Sequence, residues 1–347
     1  MVDYIIVGLG LAGISFCEQL EKHNKSFMVV SNDSQTSSVV AAGLYNPVIL
    51  KRFTLAWNAK EQLDVAIPHY KELERKMGLQ LDYKVPVLRR FASIAEQNAW
   101  FEASDKKGLQ HFLSTEIEQN KNKSIDAPYG YGKVKYTGRI DTGKLLLAYS
   151  DYLRRKEQLI SESFDYDALE VHANGITYKA VEAKQIVFAE GFGLRQNPYF
   201  KYLPLNGTKG ELLTIKSAAL KEENVIKSSV FVIPLGNNRY RIGATYERKD
   251  KTNAPTLEAK SELIKKFEAF VSCDYKVECH SAGIRPTVTD RKPLVGRHAV
   301  HKNIYVLNGL GSRGVMIGPY AAKQLYGLIE DKIPIHKEMN IERFATN

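Results

Sequence analysis

The stretch MVDYIIVGLGLAGISFCEQLEKHNKSFMVVSND, residues 1–33, decides the fold of this chain. Its apolar run YIIV is typical of a parallel strand that is buried on both faces. Gly8, Gly10 and Gly13 follow as G-x-G-x-x-G, and a helical pattern then leads to a second apolar run at 27–30. Such glycines permit a tight turn, close approach of backbone to a pyrophosphate and close helix–strand packing. We therefore expect a dinucleotide to bind at the N-terminus of the first helix.

One position departs from this motif. An acidic residue that binds the ribose is expected at the end of the second strand, but Ser31 and Asn32 stand there and Asp33 follows slightly late. Two alternatives stay open: either Asn32 or Asp33 holds the ribose, or the dinucleotide binds more weakly than usual.

Composition limits the class of protein. The 347 residues allow one large or two medium domains, and 44% hydrophobic content can supply a core. The net charge of +10 favours an anionic substrate or a nucleic acid, whereas the scatter of the basic residues favours a solvated basic surface.

The three cysteines form neither a disulfide framework nor a zinc spacing. With no leader segment and no run of about eighteen apolar residues, a cytoplasmic protein without a membrane span is expected.

Three later stretches are expected to return to the same ligand. The run 37–47 is rich in small residues, which favours close contact with a planar ligand over a plain connecting loop. An apolar strand at 184–189 ends in glycines and suits the same parallel sheet. Near the end, a strand at 303–307, the loop NGLGSRG and a helix from 315 to about 330 repeat the opening pattern. A second helix N-terminus thus becomes available to the ligand.

The remaining pattern predicts a second domain. Strands at 210–216, 230–234 and 240–244, a helix at 256–270 and a strand at 275–280 form an antiparallel region. The predicted fold class is therefore α/β with an α+β second domain, which means a Rossmann-type binding domain with an antiparallel-sheet substrate domain. The first domain is assigned to 1–80, 138–205 and 281–347, and the second to 81–137 and 206–280. Other predictions are a helix at 58–77 kinked or divided by Pro68, helices at 94–103, 107–117 and 141–155, and a loop at 119–132.

Several motifs together resemble the D-amino acid oxidase and glycine oxidase superfamily of FAD proteins. They are the opening glycines, the AAG-containing run, GIRPTVTDRKPLVG at 283–296 and NGLGSRG at 308–314. Within that superfamily, VFVIPL, RIGATYERKD and GLYNP are most similar to the oxidase half of the bifunctional enzymes that make 5-methylaminomethyl-2-thiouridine in tRNA. The resemblance implies noncovalent FAD and dehydrogenation of a C–N bond in a carboxylate-bearing amine, with hydride transfer to flavin N5.

The resemblance also implies roles for single residues. Arg285 matches an arginine that holds the substrate carboxylate, and Arg313 matches a second arginine near the flavin, so both are assigned to catalysis. Arg285 is alternatively a structural residue paired with an acid such as Asp290. Phe231 stands where relatives often carry tyrosine, and Lys209 is either near the flavin or on the surface. His280 and His298 are expected to be structural.

The predicted cofactor-binding residues are Gly8, Gly10, Leu11, Ala12, Gly13, Ser31, Asn32, Asp33, Ser38, Ala41, Ala42, Gly43, Ala189, Gly191, Gly309, Gly311, Ser312, Gly314 and Val315.

Three functions remain open at this point. The substrate is a modified tRNA uridine, which requires an open basic approach, or a free amino acid such as glycine or a D-amino acid, which requires only a closed pocket. The third alternative is a protein that binds FAD without oxidising a substrate.

Overall fold

A computed structural model describes residues 1–32 and 34–344 of the chain. The prediction that Asp33 binds a ribose lies outside these residues. In the described part, the α-helices are α1 (Leu11–Lys22), α2 (Ser37–Val40), α3 (Ala59–Met77), α4 (Ile94–Ser104), α5 (Thr142–Arg155), α6 (Leu257–Glu268) and α7 (Gly314–Glu330). Short 3₁₀ helices span Leu109–His111, Tyr166–Ala168, Gly191–Gln196 and Ile341–Phe344.

The strands lie between these helices, mostly as runs of several consecutive strands. In order they are β1 (Val2–Val7), β2 (Phe27–Val30), β3 (Leu44–Tyr45), β4 (Val48–Ile49), β5 (Thr54–Leu55), β6 (Asp82–Tyr83), β7 (Val87–Arg90), β8 (Leu113–Glu118), β9 (Tyr131–Val134), β10 (Gly138–Ile140), β11 (Leu159–Ile160), β12 (Leu169–His172), β13 (Gly175–Tyr178), β14 (Val181–Phe188), β15 (Thr208–Lys216), β16 (Val225–Lys227), β17 (Phe231–Gly236), β18 (Arg239–Gly243), β19 (Lys276–Arg285), β20 (Leu294–Arg297) and β21 (Ile304–Asn308).

The first sheet is parallel at its centre. Strands β11, β2, β1, β14 and β21 lie side by side in that order and run in the same direction. The residues Tyr4 to Val7 of β1 are buried, as the continuous apolar run predicted. β14 pairs with β1 across a gap of some 180 residues of chain, which confirms the predicted return of the third apolar strand. Helices α1 and α7 pack together on this sheet, and the buried Cys17 belongs to its core.

The second sheet has the order β19–β15–β18–β17–β16–β7–β9–β8. It is antiparallel except at β16 and β7, which run parallel. One face of this sheet packs against α6 through apolar residues that include Ile226, Val232, Leu263 and Phe267. The predicted meander and its helix are therefore found. β19 runs through Arg285, past the predicted domain boundary at 280.

Two local predictions were wrong, and one alternative of a third was also wrong. The helix predicted at 107–117 is a short 3₁₀ turn followed by β8, because β8 pairs with β9 and this pairing overrides the local preference. The loop predicted at 119–132 includes the start of β9. α3 continues through Pro68, so the proline does not divide the helix, and the predicted kink stays a prediction; buried residues on both sides of the proline, Leu63 and Tyr70 among them, hold the helix against its surroundings.

Candidate active site

A cavity of about 1310 Å³ extends between the carboxyl ends of the parallel strands and one face of the antiparallel sheet. Its lining includes Gly8 and Gly10 at one end and Phe231 and Arg285 at the other. The carboxyl edge of a parallel sheet is where α/β folds bind nucleotides. The cavity therefore joins the predicted dinucleotide site to the second sheet.

The opening glycines shape one end of this cavity. Gly8 has a φ of +100°, and a Cβ there would lie 2.6 Å from the carbonyl oxygen of Ala189. A Cβ on Gly13 would lie 2.0 Å from the oxygen of Gly8, so this glycine lets α1 pack against the turn and does not line the cavity. Gly10 precedes α1 without a capping side chain, and Leu11 and Ala12 line the cavity with it. The Leu11 amide donates to the Ser38 hydroxyl at 3.3 Å, and the rest of the N-terminus of α1 is open to a phosphate.

Ser31 and Asn32 lie beside this turn and also line the cavity. The Ser31 hydroxyl accepts a hydrogen bond from the Leu9 amide at 3.1 Å. The Asn32 side chain accepts from the Ser34 amide at 3.1 Å and donates to the Ser163 hydroxyl at 2.7 Å. Both the oxygen and the nitrogen of the Asn32 side-chain amide are therefore already hydrogen-bonded to the protein.

The small residues after β2 form a wall of the same cavity. Ser38, Ala41, Ala42 and Gly43 line it, as do Ala189 and Gly191 after β14. Gly43 has a φ of +73°, and a Cβ there would lie 1.8 Å from the oxygen of Ile140.

The closing loop reaches the cavity from the far end of the sequence. Gly311, Ser312, Gly314 and Val315 line the cavity, and α7 begins at Gly314. The Tyr70 hydroxyl donates to the Val315 oxygen at 3.0 Å and fixes the first turn of α7. The predicted second helix N-terminus is therefore present at the cavity.

Gly309, by contrast, does not line the cavity. It has a φ of +73°, and a Cβ there would lie 2.6 Å from a methyl group of Val288. This glycine serves the packing of the closing loop.

These features fit FAD. Close backbone approach at Gly8 and the open N-terminus of α1 suit its pyrophosphate. The N-terminus of α7 supplies a positive end at the same cavity. None of the three cysteines lines the cavity, so the chain offers no cysteine link to the flavin.

Arg285 ends β19 and lines the cavity without a carboxylate partner among the described residues. Its two terminal nitrogens each lie 3.4 Å from the Thr245 oxygen, and the Tyr246 ring centroid is 5.7 Å away. Asp290 instead pairs with Arg343 at 2.8 Å, so it is not the partner of Arg285. Burial lowers the pKa of the Arg285 guanidinium. A half-buried cation without an acid is a candidate for binding an anionic ligand.

Arg313 stands directly before α7 and also lines the cavity. No carboxylate of the described residues pairs with it, and burial lowers the pKa of its guanidinium, with Arg291 adding repulsion. A cation at a helix N-terminus is unfavourable by itself. The structure therefore brings the two predicted arginines to one cavity.

Lys209 is neither on the surface nor in the cavity lining. It is fully buried, donates to Asp250 at 2.5 Å and to the Ala254 oxygen, and lies 3.5 Å from Glu211. His280 lies 2.9 Å from a Glu211 oxygen, and His298 accepts from backbone amides. Lys209, His280 and His298 therefore make contacts that hold loops and strands together outside the cavity.

The charged residues of the cavity lining that were not predicted are Lys51, Arg154, Glu162, Glu190 and Lys227. Glu190 accepts from Tyr166 and Asn197, and burial raises the pKa of its carboxyl group to about 7. Lys227, the last residue of β16, lines the cavity near Phe231. Glu190 follows an identified strand and was within reach of sequence reasoning. The position of Lys227 depends on strand pairing, which the sequence does not display.

The chain belongs to the DAO family, whose model is described as FAD dependent oxidoreductase and matches residues 3–328. The chain is therefore an FAD-dependent oxidoreductase, and the predicted family, enzyme class and cofactor are confirmed.

Among curated relatives, the tRNA 5-methylaminomethyl-2-thiouridine biosynthesis bifunctional protein MnmC of Legionella pneumophila (strain Corby) is 24% identical over 382 residues. That match covers 95% of this chain and 54% of the relative. Glycine oxidase of Bacillus subtilis (strain 168) is 27% identical over 159 residues, 44% of this chain and 42% of the relative. The chain thus spans about half the length of these relatives or less.

Solved structures support the fold. Glycine oxidase from Bacillus cereus ATCC 14579 superposes with a TM-score of 0.79 at 20% identity, covering 97% of each chain. Iminodiacetate oxidase from Chelativorans sp. BNC1 gives a TM-score of 0.78 at 17% identity, over 99% of this chain and 98% of that chain. The predicted fold class is confirmed. In the described residues, no helix combines the length and the apolar character that a membrane span requires.

Proposed function

We propose that this chain dehydrogenates the C–N bond of an amine that carries a carboxylate on the carbon to be oxidised. The observation that carries the proposal is Arg285, which presents a guanidinium without an acidic partner among the described residues to the cavity. A planar guanidinium binds a carboxylate through two parallel hydrogen bonds. A bound carboxylate would also offset the desolvation free energy of the Arg285 guanidinium.

The residues of the chain act by position and charge. Arg285 orients the substrate by its carboxylate, and Arg313 adds positive charge from the start of α7. Phe231 and Leu212 supply apolar wall to the cavity and exclude water from it. FAD, when bound, supplies the two-electron acceptor for the C–N bond. Fixing the substrate in one orientation makes its oxidation effectively unimolecular.

The test compares Arg285→Ala and Arg285→Lys with the wild-type protein, each with FAD bound. Anaerobic mixing with glycine, N-methylglycine and D-alanine, followed by flavin absorbance, measures the rate of reduction. We expect Arg285→Ala to lower kcat/KM roughly 10- to 150-fold, the value of one charged hydrogen bond, and Arg285→Lys to recover part of the loss. Arg239→Ala is the charge-matched control, since Arg239 is exposed on β18 and paired with Glu278.

Unchanged reduction by Arg285→Ala would contradict the proposal. A protein that binds FAD but is reduced by no amine, on tRNA or free, would instead be the non-catalytic flavoprotein that the sequence left open.

A second candidate substrate is a modified uridine in tRNA that carries an N-carboxymethyl group. It is supported by the match to the MnmC protein along 95% of this chain and by the net charge of +10. The same arginine would hold the carboxymethyl group. Binding of tRNA that weakens steeply with salt, together with flavin reduction only by the modified tRNA, would favour this substrate over a free amino acid.

A further inference from the structure

Lys227 and Arg285 lie on the same face of the antiparallel sheet. Lys227 of β16 is paired in register with Phe231 of β17, which is paired with Gly243 of β18. Directly opposed residues point to the same face, and so do residues two apart along a strand. The register continues through Gly243 to β15 and from there to β19, which ends in Arg285. The opposite face is the one covered by α6, so both cations face the cavity.

The ammonium group of Lys227 has no acidic partner in the described part of the chain. Its Nζ lies 4.6 Å from the Phe231 ring centroid, and its hydrogen-bond acceptor is the Ser229 oxygen at 3.4 Å. The acids nearby are already paired, since Glu96 binds Arg89 at 2.5 Å and Glu262 binds Lys266 at 2.5 Å. Lys227 is half-buried. A half-buried lysine without an acidic partner is unfavourable unless an anion approaches it.

The charge of the lining is unbalanced around this end of the cavity. The lining cations are Lys51, Arg154, Lys227, Arg285 and Arg313, of which Arg154 pairs with Asp151 at 2.8 Å. The lining carboxylates Glu162 and Glu190 bond to groups on the nucleotide side, Glu162 to Lys179 and Glu190 to Asn197. A ligand that meets Arg285 with one carboxylate therefore leaves Lys227 without a counter-charge.

The side chains of Lys227 and Arg285 both lie over strands between β16 and β19. Three strand intervals separate the backbone of β16 from that of β15, or about 14 Å at the usual strand separation. The Arg285 guanidinium lies against Gly210 of β15, and the Lys227 side chain extends over Phe231 toward it. The two charged groups are therefore closer together than the backbones of β16 and β19, which lie four strand intervals apart.

We propose that Lys227 binds a second carboxylate of the substrate, so that the chain acts on small amines bearing one carboxylate for Arg285 and another for Lys227. This inference rests on the proposed function, because Arg285 is taken to hold the first carboxylate.

The test uses two amines that differ by one carboxylate, N-methylglycine and iminodiacetate. Their kcat/KM values for flavin reduction are measured for wild type, Lys227→Met, Lys227→Arg and the control Lys265→Met, which removes an exposed lysine of α6 outside the lining. We expect Lys227→Met to lower kcat/KM for iminodiacetate roughly 10-fold or more and that for N-methylglycine less than about 3-fold. Lys227→Arg should keep the preference for the diacid. Equal losses on both amines, or none, would overturn the inference.

A binding measurement separates this inference from the proposed function. Diglycolate and methoxyacetate, in which oxygen replaces the amine, cannot be dehydrogenated at nitrogen, and calorimetry on the FAD-loaded protein measures their Kd. We expect wild type to prefer diglycolate and Lys227→Met to lose that preference. If amines reduce the flavin but the diglycolate preference does not depend on Lys227, the second carboxylate site is wrong and the proposed function stands. If diglycolate binds through Lys227 and no amine reduces the flavin, the proposed function fails and the anion site stands.

Lys227→Met also tests whether an RNA phosphate, and not a carboxylate of the substrate, binds to Lys227. Weaker tRNA binding by Lys227→Met, with diglycolate binding unchanged, would assign Lys227 to a nucleic acid and overturn the inference.

Discussion

The guanidinium of Arg285 occupies the space that a side chain at Gly210 would fill. A Cβ built on Gly210 would lie 1.9 Å from a terminal nitrogen of Arg285, and the two residues lie on neighbouring strands. Because Gly210 has no side chain, the charged guanidinium of Arg285 can lie against it.

The first prediction follows from this contact. Gly210→Ala should displace the Arg285 guanidinium and lower kcat/KM for carboxylate-bearing amines roughly 10-fold or more, since the carboxylate loses a charged hydrogen bond. FAD content, measured as flavin absorbance per protein, should stay unchanged. Gly327→Ala is the control, because a Cβ there meets its nearest neighbour at an ordinary 3.7 Å. Full activity of Gly210→Ala would show that Arg285 tolerates displacement and does not position the substrate.

The second prediction concerns pH. Burial, with Arg89 and Lys266 adding repulsion, lowers the pKa of Lys227 to about 8. The ammonium is present below that pH and lost above it, so the ratio of kcat/KM for iminodiacetate to that for N-methylglycine should fall as pH rises through about 8. The charged groups around Lys227 are Arg89 with Glu96 and Lys266 with Glu262.

The ratio cancels effects that both amines share. Lys227→Met should lack the fall near pH 8, so that its ratio reflects only the different protonation of the two amines. A wild-type ratio that stays constant from pH 6 to about 10, the interval across which a lysine of this kind loses its proton, would contradict the assignment.

The third prediction concerns Glu190. Its carboxyl group has a pKa raised to about 7, against an ordinary value near 4.5, so the folded state favours the protonated form. The stabilisation from this preference is complete below about pH 4.5 and is lost as pH rises through 7. Glu190→Gln, which stays neutral, should therefore gain stability relative to wild type between pH 5 and pH 9, by about 1–3 kcal/mol.

Thermal unfolding of both proteins at the two pH values measures this gain. Glu182→Gln is the control, because Glu182 is exposed on the same strand β14. An equal stability difference at pH 5 and pH 9 would mean that Glu190 is ionised throughout.

The fourth prediction separates structure from catalysis at Lys209. Lys209→Met removes one partner of a buried charge network and should lower the free energy of unfolding by about 3 kcal/mol, because Glu211 loses its neighbouring cation. Urea unfolding measures this loss, and Lys216→Met, an exposed change on the same strand, is the control. Flavin reduction by the folded variant should stay close to wild type, and a selective loss of kcat would place Lys209 in the reaction instead.

The sequence pattern was sufficient to predict those elements whose signal lies within a few neighbouring residues. The opening cradle, the helix α5 and the strand, loop and helix at residues 304–330 were predicted because turns and periodicity depend on neighbours in the chain. Pattern failed at β8, whose residues become a strand through pairing with β9. It also left Lys209 undecided between two positions, because burial depends on residues such as Asp250, forty positions away.

The sequence by itself predicted a Rossmann-type half that binds a dinucleotide, because the glycines that admit a pyrophosphate must stand at fixed spacing between a strand and a helix. The resemblance of several motifs to a superfamily of FAD proteins then implied FAD. It also marked Arg285 and Arg313 as candidates through the motifs that contain them. Only the tertiary structure decided that both arginines reach one cavity and that Asp290 pairs with Arg343 instead. The placement of Lys227 on the same face as Arg285 was likewise decided by register across β16 to β19. Register is set by contacts between strands distant in sequence, and those contacts leave no trace in either strand alone.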